Sequence, residues 1–313
     1  MARFLVTGGC GFIGSHLVDE LIDRGHSVRV LDNLSTGKLS NLPHGADFIE
    51  GDITNGKTVA DCVAGVDGVF HLAAIASVAV TTTEWVNSHK VNLTGTINVF
   101  DAVSRLGSGR VPVVYASSAA VYGDAQATTL IETESPRPIS AYGADKLGCE
   151  LHARVATLLH GVPTVGLRLF NIYGPRQDPT SPYSGVIAIF SDRISQRRPI
   201  DVFGDGTQTR DFVFVRDAIE FFIAAMTSKE GHGKSFNVCT GRETSIVALA
   251  SILSSLYRVE AQIRFQAARA GDIRRSIGSP ELAARTLHCD ANTTIAEGLT
   301  EMCKEAKSFA RSG

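Results

Sequence analysis

The sequence predicts an α/β protein built on a doubly wound parallel sheet, and three observations carry that reading. Short apolar runs alternate with stretches of helical period through the first half of the chain. The first run ends in a cluster of glycines that opens directly into a helical stretch. Hydrophobic residues make up 44% and charged residues 20% of 313 positions, enough apolar surface for a full core. Strands alternating with helices are joined by crossovers, which makes them parallel and covers both faces of the sheet. The length suggests about two domains.

RFLVTG (3–8) reads as the first strand, and HLVDELIDRG (16–25) follows with helical period and stops at Gly25. SVRVLD (27–32), DFIEGD (47–52), GVFHLAA (68–74), PVVYASS (112–118) and TVGLRLFN (164–171) read as the second to sixth strands. Helices are expected between them, roughly over 56–64, 86–107 and 141–160. After Asn171 the regularity fails. YGPRQDPTSPYSG (173–185) carries three prolines and two glycines and reads as a loop. A helix over VIAIFSDRISQ (186–196), a turn at Gly204–Gly206, a helix over VRDAIEFFIAAM (215–226) and a strand in SFNVCTG (235–241) follow, and the last quarter reads as mostly helical. The expected division is a cofactor domain of 1–171 with about 213–242, interleaved with a smaller mixed α/β domain of about 172–212 with 243–313.

Composition excludes several classes. The formal net charge of −2 favours neither nucleic acid nor an anionic membrane. No apolar run is long enough to span a bilayer, and no basic segment followed by an apolar stretch marks a signal peptide. The six cysteines are scattered with no C-x-x-C pair, so they read as reduced thiols of a cytosolic protein rather than a disulfide framework or a metal site.

TGGCGFIGSH places Gly8, Gly11 and Gly14 between the first strand and the first helix. In that context a glycine-rich turn lets the backbone approach a pyrophosphate, while the helix N-terminus offers free N–H groups and the positive end of its dipole. This is the Rossmann-type arrangement. Asp32, at the end of the second strand, can accept hydrogen bonds from the adenosine ribose and would repel a 2′-phosphate, which favours NAD over NADP. Asp32-Asn33 also favours a turn, and the two roles are compatible. Asp52 is placed to meet the adenine edge or to make a turn.

SAYGADK (140–146) sets Tyr142 and Lys146 four residues apart, on one face of a helix. An ammonium beside a phenol favours its ionised form, which turns a tyrosine into a usable general acid/base. The same spacing occurs on many solvated helices. Here the preceding strand ends in Ser117 and Ser118, at the carboxyl edge where open α/β sheets bind ligands, so a serine and the tyrosine can converge on one substrate hydroxyl.

Taken together, TGGxGFIGSH (7–16), DN (32–33), GDI (51–53), HLAA (71–74), VN (91–92), SSxxVYG (117–123), YxxxK (142–146), LRxFNxYGP (167–175), FGDGxQxRDF (203–212) and RAGD (269–272) resemble the extended short-chain dehydrogenase/reductases, specifically the nucleotide-sugar 4-epimerases. The resemblance spans nearly the whole chain. It implies NAD bound by Gly8, Gly11, Phe12, Ile13, Gly14, Asp32, Asn33, Asp52, Ile53, Leu72, Ala73, Ala74, Asn92, Tyr142 and Lys146. It implies catalysis by Ser118, Tyr142 and Lys146. It also implies a nucleoside diphosphate sugar held by Ser77, Ser117, Ser118, Asn171, Gly185, Val186, Phe203, Arg210, Arg269, Asp272 and Ser276, with Phe203 against the base and the arginines on the diphosphate.

In the dehydratases and decarboxylases of this group, acidic residues follow the active-site Ser/Thr. Ala119 and Ala120 stand there instead, which points to 4-epimerisation through a transient 4-keto sugar, a reaction needing one acid/base. Ser276, just after the R-x-G-D motif, leaves room at the sugar C2 substituent, so UDP-GlcNAc/UDP-GalNAc is the expected pair, with UDP-Glc/UDP-Gal as a second activity. A UDP-uronic acid 4-epimerase and a non-catalytic dinucleotide-sensing module are the competing readings. The resemblance further implies a homodimer, which the helices near 90–107 and 142–160 could form, although their apolar positions fit packing on the sheet equally well. Asp145 departs from the usual Ser or Thr and is expected to point away from Lys146's face of the helix.

Overall fold

The computed structural model describes residues 1–107, 111–181, 185–268 and 273–312. In the first half, strands and helices alternate as β1 (Arg3–Thr7), α1 (Phe12–Asp23), β2 (Ser27–Asp32), β3 (Asp47–Glu50), α2 (Gly56–Val63), β4 (Gly68–His71), α3 (Val78–Thr83), α4 (Trp85–His89), α5 (Gly95–Ser104), β5 (Val113–Ser118), α6 (Ala141–His160) and β6 (Thr164–Leu169). Then follow β7 (Asn171–Tyr173), α7 (Val186–Ser195), β8 (Ile200–Phe203), β9 (Thr209–Arg210), β10 (Phe212–Phe214), α8 (Val215–Thr227), β11 (Lys234–Val238), β12 (Thr244–Ser245), α9 (Ile246–Tyr257), β13 (Ile263–Gln266), β14 (Arg275–Ser276), α10 (Glu281–Leu287) and α11 (Ile295–Ser312).

Seven strands form one sheet in the order β11-β6-β5-β4-β1-β2-β3, and every pairing is parallel. β4 is buried along its whole length, as a central strand covered on both faces must be. Leu17, Val18 and Leu21 of α1 and Ile219 and Phe222 of α8 pack one face. Val59 and Val63 of α2, Val99 and Val103 of α5, and Cys149 and Ala153 of α6 pack the other. The strand order reverses between β1 and β4, which opens the crevice where such sheets bind ligands.

A separate core joins Ile187, Phe190 and Ile194 of α7, Ile200 and Val202 of β8, Leu249 and Leu253 of α9, and Leu299 of α11. Around it lie short pairings, β10 with β7, β9 between β12 and β14, and β13 with β8. Ala283 and Leu287 of α10 instead join the sheet-side core beside Phe236 of β11.

Three expectations need correction. The stretch expected as one helix over 86–107 is α4, a π turn at Lys90–Thr94 and α5. The π turn carries Asn92, whose fully buried side chain turns inward to bond a neighbouring loop, and such a turn accommodates one inward residue out of helical phase. The run 164–171 does not continue as one strand. Phe170 buries its ring in the core, the main-sheet strand stops at Leu169, and Asn171 starts a separate pairing with Phe212. The last quarter is less helical than expected, because Ile263–Gln266 pairs in parallel with Ile200–Phe203.

Candidate active site

The glycine turn sits at the strand-order reversal. Gly8 has a φ of +72°, and a Cβ there would lie 2.7 Å from the backbone N of Ala73, just after β4. A Cβ on Gly14 would lie 2.1 Å from the Gly8 carbonyl oxygen, so the third glycine serves close packing of helix on turn. Gly11 caps α1 with no side-chain acceptor, which leaves the first-turn N–H groups of Phe12 and Ile13 for an anion. Asp32 is buried and accepts from Cys10 N at 3.0 Å and Leu34 N at 2.8 Å, and burial pushes its carboxyl pKa up. Asn33 donates to Asp52 Oδ2 at 2.8 Å. Burial works against the Asp52 carboxylate, yet hydrogen bonds from Thr54 and Asn33 hold its pKa below the usual range. Asp32 therefore shapes the turn and still has lone pairs for a ribose. A cradle that a Cβ would fill, uncapped N–H groups and a carboxylate at the end of β2 fit NAD.

Two of the residues expected at the cofactor turn their side chains into the protein. Asn92 is fully buried, and both ends of its amide go to Ile75, accepting from its N at 2.7 Å and donating to its O at 3.1 Å. Through Ile75 it holds the end of the loop of Leu72, Ala73 and Ala74. Ile53 turns its side chain into the core beneath Gly95, whose Cβ would meet it at 2.6 Å.

Sequence reasoning passed over His71, which lies under the same loop. Thr96 donates to Asn92 O at 2.6 Å, so its oxygen accepts from His71 Nε2 at 2.9 Å. Thr7 then donates to His71 Nδ1 at 2.7 Å and accepts from Ala73 N at 3.3 Å. The chain of bonds requires a neutral ring. Burial, with a smaller push from the Lys146 ammonium, lowers the His71 pKa to about 3. Its signal in the sequence is the histidine inside GVFHLAA, a polar residue in an otherwise apolar central strand.

The Ser–Tyr–Lys set is assembled by β5 and α6. Ser140 caps α6, accepting from Gly143 N at 3.1 Å, and so starts the helix two residues before Tyr142. Lys146 Nζ stands 5.8 Å from the Tyr142 ring centroid and donates to Ala116 O at 2.8 Å. Ser118 ends β5 and accepts from Ala120 N at 3.1 Å. Ser117, expected to touch substrate, faces the other way. It is buried and donates to Glu150 Oε1 at 2.6 Å, because adjacent strand residues point to opposite faces. Ser77 is buried as the cap of α3. Asp145 is buried and accepts from His89 Nδ1 at 2.8 Å, away from Lys146.

On the opposite side, Asn171 N donates to Asp211 O at 3.0 Å and Asp211 N donates to Ser276 O at 3.0 Å. This ladder brings Asn171, Arg210 and Ser276 together, with Ser276 paired to Arg210 in β14–β9. Arg210 donates to Ile273 O at 2.6 Å. Phe203 ends β8, its carbonyl accepting from Gln208. Gly185 caps α7 without a side-chain acceptor, and Val186 begins it. Arg269 and Asp272 lie outside the described residues. Asp211, unremarked in the sequence, is fully buried and accepts from Thr240 N, Thr240 Oγ1 and Gly241 N at 2.8, 2.7 and 2.9 Å, which locks the ladder to the end of β11. The segment after β7 is tied to α1 by Arg176 to Asp19 at 2.6 Å and to the loop after β2 by Lys38 to Asp178 at 2.7 Å.

Residues 4–239 match the profile of the NAD dependent epimerase/dehydratase family. The chain is 36% identical over 308 residues to the UDP-glucose 4-epimerase of Mycolicibacterium smegmatis, covering 96% of each. Its fold is similar to that of a Thermotoga maritima UDP-glucose 4-epimerase solved with UDP-glucose, with a TM-score of 0.94, 34% identity, and 98% of this chain and 99% of that one covered. It is also similar to the UDP-N-acetylglucosamine 4-epimerase of Methanobrevibacter ruminantium solved with UDP-N-acetylmuramic acid, with a TM-score of 0.93, 33% identity, and 98% and 99% covered.

Proposed function

The chain belongs to the NAD-dependent epimerase/dehydratase family, and from that premise we propose that it interconverts the C4 epimers of a UDP-hexose, with UDP-GlcNAc and UDP-GalNAc as its pair. The observation that carries the reading is the Tyr142–Lys146 pair on α6 facing the end of β5, where Ser118 is followed by two alanines. Bound NAD supplies the hydride acceptor and donor at the sugar C4. Tyr142 Oη takes the proton of the 4-hydroxyl and returns it to the same oxygen once the keto sugar has turned its other face to the cofactor. Ser118 hydrogen-bonds the same hydroxyl and fixes its direction. Lys146 spends one of its three donors on Ala116 O, which leaves two for the cofactor ribose and for the tyrosine oxygen. Ala119 and Ala120 carry no second proton-transfer group, so neither elimination nor decarboxylation is served.

On the substrate side, Arg210 and Asn171 are assigned to the diphosphate and its ribose, and Phe203 to the base. Ser276 lies beside Arg210 and presents a small side chain, which supports room for an N-acetyl group. The likeness to the M. ruminantium enzyme supports this pair, and the 36% identity to a UDP-glucose 4-epimerase supports UDP-Glc/UDP-Gal as a second activity. An NMR time course with UDP-GlcNAc, and UDP-Glc in a parallel tube, tests both. Conversion of UDP-GlcNAc to its galacto epimer is expected. Conversion of UDP-Glc alone keeps the chemistry and removes the Ser276 argument. Tyr142→Phe is expected to lose about a hundredfold or more in kcat, and retained turnover would refute the tyrosine's role.

The cofactor unit of this reading is 1–171 with 213–242, and the sugar-nucleotide unit is 172–212 with 243–313, apart from α10, which packs on the sheet side. A second copy of the chain is assigned to the outer face of α6. All six cysteines are buried thiols outside any disulfide among the described residues, which suits a reducing cytoplasm, the compartment proposed here.

A further inference from the structure

Ser117 turns its back on the cleft, and the groups it meets there bear on Ser118. Its hydroxyl donates to Glu150 Oε1 at 2.6 Å. Glu150 lies one helical turn beyond Lys146, whose Nζ donates to Ala116 O at 2.8 Å. Two successive residues of β5 are thus tied to two residues one turn apart on α6. The next residue of the strand is Ser118, and one turn back along the helix is Tyr142.

Glu150 is itself held without slack. Arg168 donates to both its oxygens, Nε to Oε1 at 2.9 Å and Nη2 to Oε2 at 2.7 Å. Arg168 stands directly opposite Ser117 on β6. Its Nη1 reaches Tyr122 Oη at 2.9 Å and Glu132 O at 3.1 Å, and Tyr122 donates to Asn237 Oδ1 at 2.6 Å on β11. The side chains of Arg168 and Glu150 are only 7% and 9% exposed. A buried, two-pronged ion pair tolerates one arrangement, because any other strands a charge out of water. The sequence alone puts Arg168 and Tyr122 inside matched stretches with no task assigned to either.

We propose that Ser117 and Glu150 are positioning residues, which clamp the end of β5 to α6 so that the Ser118 hydroxyl and the Tyr142 ring meet at one sugar hydroxyl. The proposal rests on the Ser–Tyr–Lys reading above. The last residue of a strand has lost one side of its ladder and drifts unless something else fastens it. Here the fastening comes from the residue before it, through the face that substrate never sees.

Ser117→Ala is the clean test, because it cuts the tie while Glu150 keeps both bonds to Arg168 and no charge is stranded. With the sugar nucleotide that the protein epimerises, kcat per NAD-loaded chain is expected to fall about tenfold while KM stays within about twofold. The NAD recovered per chain after denaturation is expected to be unchanged. Ser117→Thr restores the hydroxyl and is expected to recover most of the lost kcat. A Ser117→Ala protein with unchanged kcat, or one whose loss Ser117→Thr does not recover, overturns the proposal. Tyr142→Phe is assayed alongside. If it is inactive while Ser117→Ala is normal, positioning alone fails. If Tyr142→Phe is active, the Ser–Tyr–Lys reading fails and the positioning falls with it.

Discussion

His71 shows how much a single buried polar residue organises. Its neutral ring joins Thr7 at the end of β1 to Thr96 on α5, and Thr7 in turn receives Ala73 N. The loop that closes over Gly8 is therefore set from below. The pKa falls on folding, from 6.5 to about 3, so below 6.5 the unfolded chain binds a proton that the folded chain refuses. The sign follows from linkage. Stability from this group is present above 6.5 and is lost as pH falls toward 3, by up to about 1.4 kcal/mol per pH unit. His71→Gln gives up ring hydrogen bonds but carries no proton to gain. The variant is expected to be less stable than the parent at pH 7.5, with the gap narrowing by about 2 kcal/mol at pH 5. Urea unfolding of both proteins at the two pH values measures it, and a gap that stays constant would show that His71 does not titrate on unfolding.

At the scale of elements, the π turn between α4 and α5 is the departure with the clearest cause. A regular α-helix cannot hold its outer face in register and also turn one amide fully inward. Widening one turn lets it do both, and Asn92 takes the inward position. Ile75 N and O have the two ends of that amide as partners. Asn92→Ala leaves both backbone groups without that partner in a partly buried setting, and the expected cost is about 2 kcal/mol. Denaturant unfolding at neutral pH reads the cost directly. The expected companion is weaker NAD retention on gel filtration, since the loop of Leu72 to Ala74 loses its anchor. A variant as stable as the parent would mean that the loop is held by other bonds.

At the scale of the whole molecule, α6 leaves an apolar face uncovered among the described residues. Leu151, Val155, Leu158 and Leu159 of α6 are 59%, 43%, 68% and 77% exposed, at spacings that share one helix face. Leucines in such a cluster on a long helix are the mark of an association surface. With α5 alongside, two copies meeting here would stack four helices. Leu151→Asp combined with Leu158→Asp is expected to convert a two-chain assembly to single chains in light scattering. A parent protein that is already monomeric at micromolar concentration would rule this face out as the dimer contact. Among the described residues, no helix is long and apolar enough to cross a membrane, so the exposed leucines are not part of a span.

Much of the site was legible because its signals are local. Gly8, Gly11 and Gly14 are read from spacing, and at Gly8 and Gly14 close backbone approach leaves no other residue type that fits. Tyr142 and Lys146 are read from helical period, and β2 and α6 have the bounds their sequence patterns predict. What only the tertiary structure decided is which way side chains face and what they meet at long range. Strand alternation says that Ser117 and Ser118 point oppositely, but not which of them looks into the cleft. A glutamate 33 residues away and an arginine on the neighbouring strand decide that. The same holds for Asn92, Ile53 and Asp211, whose roles are contacts with partners 17, 42 and 29 positions distant in the chain. Local chemistry is written in neighbouring residues. Burial and partnership are properties of the folded surroundings, and one chain's sequence carries them only through the fold it makes.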